Sequence, residues 1–216
     1  MAALKGAFLQ FKAGILGGLP NIVVFQFNPA HISRTPSLVT PPKPPDNSGQ
    51  VDSLQQPSQP SESLSFTLRV DATDQLALGN SIAQSNGILP VLSALELLMV
   101  PQSPSINLFG GGIGSGPFQF PPTKLSTVLF FWGTFRILPV AITSMNITET
   151  EYDTFLNPIR AEVSVNLNVL LPAQLANDTL AQGAYNYSQG VKQVMAALNT
   201  TNAAQAGVSS VLPFAF

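Results

Sequence analysis

The sequence predicts a mainly β domain with one packed helix and a helical extension at its C-terminal end. Three observations carry this. Apolar segments of strand length, bounded by Pro, Gly or Asn, recur between Ile22 and Leu170. Within that span a single stretch, 89–100, has its apolar residues at helical spacing. From Ala173 onward the chain turns Ala- and Gln-rich, with Leu175, Leu180, Val191, Val194 and Leu198 at helical intervals.

Taken in order, residues 1–21 mix Gly with apolar residues and read as an N-terminal arm or short helix. Lys5, Gln10 and Lys12 interrupt the apolar run and no clean small-residue cleavage site follows, so a removed signal peptide is not expected. Residues 22–28 (Ile-Val-Val-Phe-Gln-Phe-Asn) are rich in β-branched and aromatic side chains and read as a strand ended by Asn28-Pro29. Residues 36–62 carry Pro36, Pro41, Pro42, Pro44, Pro45, Pro57 and Pro60 among Ser, Gln and Asp. This composition buries too little apolar surface to offset ordering and reads as an extended loop insertion. In 63–71, Leu64, Phe66, Leu68 and Val70 alternate with Ser65, Thr67, Arg69 and Asp71, which defines a half-buried strand.

After a polar connection, the helix at 89–100 places Leu92, Leu95, Leu98 and Met99 on one face. Pro90 is tolerable in its first turn, and Pro101 and Pro104 close it. The glycines at 110–116 precede Pro117 and lack the Gly-Lys-Ser/Thr that opens a phosphate-binding helix, so they read as a flexible loop. Residues 127–133 form a continuous apolar strand with Phe130, Phe131 and Trp132, followed by a second strand from Phe135 towards Thr148. The turn over 152–158 leads to a last strand at 160–170, where Ala161, Val163, Val165, Leu167 and Val169 alternate with polar residues. The domain is thus expected to span 22–172, with 173–216 as helix and tail. Gly183 and Gly190 are expected to interrupt that helix.

Composition narrows the function. The apolar fraction of the 216 residues is an ordinary 45%, but charged residues make up only 9%, far below the usual quarter. A surface so poor in charge suits a large assembly in which neighbours cover much of it. The net charge of −2 offers no electrostatic footprint for nucleic acid, and no apolar stretch reaches the roughly 20 residues of a membrane-spanning helix. Without cysteine, thiolate chemistry and Cys-ligated metals are excluded. With one histidine, His31, so are multi-histidine centres. No cofactor and no metal are expected.

The sites reduce to interaction candidates. His31 has no Gly-x-Ser-x-Gly elbow in the chain and reads as an exposed or capping residue; its alternative is the base of a hydrolase. Glu149, Glu151 and Asp153 lie on one side of an extended segment and read as a solvated strand end or a salt bridge to a neighbouring subunit; their alternatives are the paired carboxylates of a hydrolase and a hard-cation site. Phe130, Phe131 and Trp132 read as core or subunit contact, with a sugar platform as the competing function. Phe214 and Phe216, in a polar small-residue tail, suggest docking. Four Asn-x-Ser/Thr sequons (Asn146, Asn177, Asn186, Asn199) read as chance in so Asn- and Thr-rich a chain.

The order of these segments resembles a known family. Phe25-Gln26-Phe27-Asn28-Pro29 with Ile32 and Arg34, then 64–71, then Val128 to Gly133, then 140–147 through Phe155 to Pro158-Ile159-Arg160-Ala161-Glu162-Val163 are similar, in this order, to the tube-type and baseplate-hub proteins of phage-tail-like extracellular contractile injection systems. The resemblance covers about residues 22–170. It implies a tube-like β-sandwich or barrel with a helix, and a non-enzymatic subunit of a six-fold homo-oligomeric ring. That ring joins the spike or hub to the inner tube and contacts baseplate proteins. It assembles in the bacterial cytoplasm before entering the particle. Relatives often carry a peptidoglycan-binding LysM module near the C-terminus, and none is legible in 173–216. The competing function is a carbohydrate- or cell-wall-binding β-sandwich built on Trp132.

Overall fold

The computed structural model describes residues 4–11, 20–38, 60–100, 127–175 and 178–205. The glycine run at 110–117, most of the Pro-rich insertion, Asn177, Phe214 and Phe216 lie outside the described residues.

Among the described residues seven antiparallel strands form one sheet in the order β2-β1-β5-β6-β7-β4-β3. In chain order they are β1 (Ala7–Gln10), β2 (Asn21–Val24), β3 (Ser33–Ser37), β4 (Ser61–Asp71), β5 (Val128–Phe131), β6 (Ile137–Tyr152) and β7 (Pro158–Val169). Four α-helices accompany them: α1 (Thr73–Ala77), α2 (Ser81–Asn86), α3 (Leu89–Glu96) and α4 (Thr179–Gln205). The fold is mainly β with α.

The alternation expected in β4 and β7 holds residue by residue. Leu64, Phe66, Leu68 and Val70 are buried opposite Leu167, Val165, Val163 and Ala161, while Thr67, Arg69 and Glu162 face out. The sheet curls strongly. Phe8 lies on the second strand of the order and Phe66 on the sixth, yet their rings stack with centroids 6.2 Å apart. Phe25 and Phe130 complete the cluster at 5.2 to 6.3 Å. Helix α3 packs into the curl with Leu92 and Leu95 buried, followed by buried Leu98. Gln10 and Asn21 fix α3 in place by donating to the carbonyls of Leu98 (3.3 Å) and Ala94 (2.9 Å).

Several expectations are corrected. Residues 7–10 are not an arm: they form β1, paired on one side with β2 and on the other with β5. The strand expected over 22–28 stops at Val24, and beyond it the Gln26 side chain donates to the Asp71 carbonyl (2.6 Å) and accepts from the Asp71 amide (2.9 Å). The ends of the Pro-rich insertion are ordered, since β3 pairs with the start of β4 and Pro36 stands opposite Glu62. Pro36 is tolerated there because β3 is the last strand of the order, with no ladder on its other side among the described residues.

The polar connection after β4 holds α1 and α2, the latter capped by Asn80 Oδ1, which accepts from the Ile82 and Ala83 amides. The regular helix expected over 89–100 ends at Glu96. Helix α4 runs unbroken through Gly183 and Gly190, each of which costs a helix about 1 kcal/mol without stopping it. It packs on β6, where the Ser188 hydroxyl bonds both the amide and the carbonyl of Ile137 (3.2 and 2.5 Å). Its N-terminal part covers Leu129 and Phe131 on the sheet face opposite the aromatic cluster.

Candidate functional site

The β6–β7 hairpin carries the acidic residues at its far end. Its turn is built by Asp153, whose Oδ1 accepts from the amides of Phe155 (2.7 Å) and Asn157 (2.8 Å) and whose Oδ2 accepts from the Asn157 side chain (2.9 Å). The Asn157 side-chain bond, with both amides, holds the Asp153 carboxyl below its usual value against an opposing effect of desolvation. Leu156 sits at φ +64°, a strained position for a leucine. The turn thereby presents Phe155 and Leu156, 82% and 79% exposed, as an apolar tip.

The three carboxylates do not form one cluster. Register shifts between Glu149, Glu151 and Tyr152 break the regular alternation. Glu151 pairs with Arg160 inside the chain (2.5 Å), and Arg160 also holds Asp71 (2.8 Å). The partner expected from a neighbouring subunit is therefore supplied to Glu151 by the adjacent strand. Glu149 accepts from the Tyr152 hydroxyl and raises its pKa, and Asp153 is taken up by the turn. Among the described residues no three His, Asp or Glu side chains are placed to share a metal ion.

The aromatic strand divides as well. Phe130 is fully buried among Phe8, Phe25, Phe66 and Trp132, so of its two expected roles, core or subunit contact, the fold gives it the first. Phe131 is half-buried in the cluster beneath α4. Trp132 stacks on Phe130 (6.2 Å, 17°) and reaches a groove of 520 Å³ at the opposite end of β6 from the hairpin tip.

Phe135, Arg34, Arg136 and Lys192 line the same groove. Behind it lies Glu62, only 8% exposed, at an inward-facing position of β4. Its carboxylate accepts from Arg34 Nε (2.7 Å) and Lys192 Nζ (2.9 Å). Burial raises the Glu62 pKa, but the bonds from Lys192 and Arg34 outweigh it and leave the group below its usual value. Arg136 has its pKa lowered, by burial and by the nearby Arg34 charge, with Glu62 opposing. Three cations thus surround one carboxylate. Of these four residues only Arg34 is named by the sequence reading, as part of the resemblance and not as a site residue; the one signal for the site is Glu62 itself, a charge in register with Leu64, Phe66, Leu68 and Val70.

His31 lines a second groove of 730 Å³ with Thr67, Asp71 and Arg160. The Thr67 hydroxyl in that groove bonds the Ser164 hydroxyl at 3.2 Å. Asn146, Asn186 and Asn199 are exposed. Among the described residues no helix is long and apolar enough to cross a membrane. Neither a scan against protein-family models nor a search of curated proteins finds a match to this chain.

Proposed function

We propose that this chain is a non-enzymatic structural subunit of a contractile injection particle, one copy in a six-fold ring joining the spike and baseplate hub to the inner tube. The observation that carries the proposal is the amount of sheet left uncovered in a chain with only 9% charged residues. Terminal strand β2 exposes Ile22 and Val24, and the outer half of β6, from Thr143 to Tyr152, is exposed or half-exposed on both faces. An open apolar strand edge invites pairing with another chain, and a closed ring removes it. The curled sheet with α3 inside is compatible with the tube-like barrel that the sequence resemblance implies. On this reading the subunit folds in the bacterial cytoplasm and meets spike, tube and baseplate proteins there.

Cryo-electron microscopy of particles enriched from the native source tests the proposal. A ring at the junction of spike and tube, traced through this chain's side chains, is the expected result. A chain found only free of particles refutes it.

The second reading, a carbohydrate-binding module, draws on Trp132 at the rim of the 520 Å³ groove beside exposed Phe135. Loss of glycan binding in Trp132→Ala with assembly intact would favour it.

A further inference from the structure

The two ends of β6 carry complementary surfaces. One end opens on the groove of Arg34, Arg136 and Lys192, walled by Trp132 and by Phe135, which is 61% exposed. Arg34 and Lys192 pair with Glu62 while Arg136 makes no ion pair, so among the described residues the groove keeps positive charge to spare. The Arg136 guanidinium makes no hydrogen bond among the described residues, and an acceptor arriving from outside would offset the repulsion from Arg34. The groove therefore suits a segment that presents an acidic group next to an apolar one.

The other end of β6 is such a segment. Glu149 and Glu151 stand on the strand, and Phe155 and Leu156 project from the turn that follows. Among the described residues the acidic end is not neutralised locally: Arg160 is shared between Glu151 and Asp71, and Glu149 has no ion pair there, with the uncharged Tyr152 beside it. Sixteen residues of strand separate the groove from the tip, roughly 50 Å at the rise of an extended chain. One copy cannot bring its own tip to its own groove.

We propose that the hairpin tip of one copy, Glu149 with Phe155 and Leu156, docks in the Arg136–Phe135 groove of a second copy of this chain. The contact is heterologous, so it propagates from copy to copy until a ring closes. Apolar burial of Phe155 against Phe135 and Trp132 supplies the affinity, and the carboxylate–guanidinium pairing sets the orientation. This inference rests on the reading of the chain as a ring subunit and names the contact that would build the ring.

Analytical ultracentrifugation of the full chain tests it with Phe155→Lys at the tip and Arg136→Glu in the groove. Phe155 is almost fully exposed and the turn is held by Asp153, so the tip variant keeps its fold. Phe135→Ser serves as a second groove variant independent of the Glu62 charges. Wild type is expected to form species larger than a dimer, and each variant alone to remain monomeric. A one-to-one mixture of tip and groove variants is expected to stop at a dimer, because it contains one intact tip and one intact groove.

Wild-type rings that persist in all three variants overturn this contact while leaving the ring reading standing. A wild type that stops at a dimer overturns head-to-tail docking. A wild type monomeric at every concentration overturns the contact and the ring reading together.

Discussion

Glu62 and Lys192 are 130 residues apart in the chain and 2.9 Å apart in the fold. The bond ties the middle of α4 to the start of β4, and Arg34 on β3 binds the same carboxylate. Three elements therefore meet at one buried acid. Glu62→Gln leaves an amide that cannot satisfy two cations. Because Arg34 and Lys192 are partly exposed and can turn to water, the expected cost is about 1–3 kcal/mol rather than that of a stranded buried charge. Thermal unfolding measures the loss, and faster amide exchange in α4 would locate it.

The same residue sets an acid-side dependence. Its carboxyl is held below the ordinary value of 4.5 in the folded state. A group with a depressed folded pKa stabilises fully above its unfolded pKa, and that contribution fades as pH falls through the folded value. The stability difference between wild type and Glu62→Gln is thus expected to be flat from neutral pH to about 5 and to shrink below 4.5. A difference that grows on acidification would contradict this account of the Glu62 environment.

Much of the sheet was legible in the sequence for a specific reason. β4 and β7 each keep their alternation for several periods, and a period is visible only when it repeats. β1 has four residues and β3 five, too few to show one, so the first reads as part of an arm and the second, which runs into the Pro-rich stretch from Pro36, gives no strand signal. Phe130, Phe131 and Trp132 lie in an unbroken apolar run, which carries no information about faces. Only the fold separates buried Phe130 from Trp132 at the groove. The groove itself was illegible, since Arg34 and Lys192 reach Glu62 across 28 and 130 residues. The hairpin tip was half legible: its acids were visible, but their division between Arg160, Tyr152 and the turn depends on irregularities in pairing.

Gly87 is fixed by close approach. It lies at φ +56°, and a Cβ there would stand 2.1 Å from the Pro158 carbonyl oxygen, which is itself accepting from the Ile88 amide at 2.8 Å. Neither atom can retreat without breaking the junction between α2, α3 and the start of β7. Gly87→Ala is expected to cost at least about 2 kcal/mol, from the left-handed backbone and the clash together. Gly79, also at positive φ but in open space, is the control, with about 1 kcal/mol expected for Gly79→Ala. Equal effects at the two positions would show that the approach to Pro158 does not matter.

Phe66 joins the curl from the far side. It touches Phe8, Phe25 and Phe130 and is almost fully buried, so Phe66→Ala opens a cavity between strands that are not neighbours in the sheet. The expected loss is about 3–5 kcal/mol by equilibrium denaturation. Phe66→Leu keeps most of the volume and is expected to lose about half as much or less.

Arg160 and Arg69 both bind carboxylates on the outer face of the sheet, and they separate a bridge that joins elements from one that does not. Arg160 holds Asp71 at 2.8 Å and Glu151 at 2.5 Å, connecting the end of β4 to the irregular end of β6 through β7. The Asp71 carboxyl is pulled below its usual value by the Thr73 hydroxyl first and by Arg160 as well, so it is charged and fixed in place when the arginine arrives. Arg69 meets only Glu162, directly opposite in a regular ladder, with both side chains half exposed or more. Solvent screens such a pair almost completely, and Arg69→Gln is expected to change stability by less than about 0.5 kcal/mol. Arg160→Gln releases two carboxylates at once and is expected to lower the urea midpoint more than Arg69→Gln does at low salt, with the difference shrinking as ionic strength rises. Urea titrations at two salt concentrations measure both. If Arg160→Gln proved as neutral as Arg69→Gln, the outer end of the hairpin would be held by its turn and ladder alone, without help from this bridge.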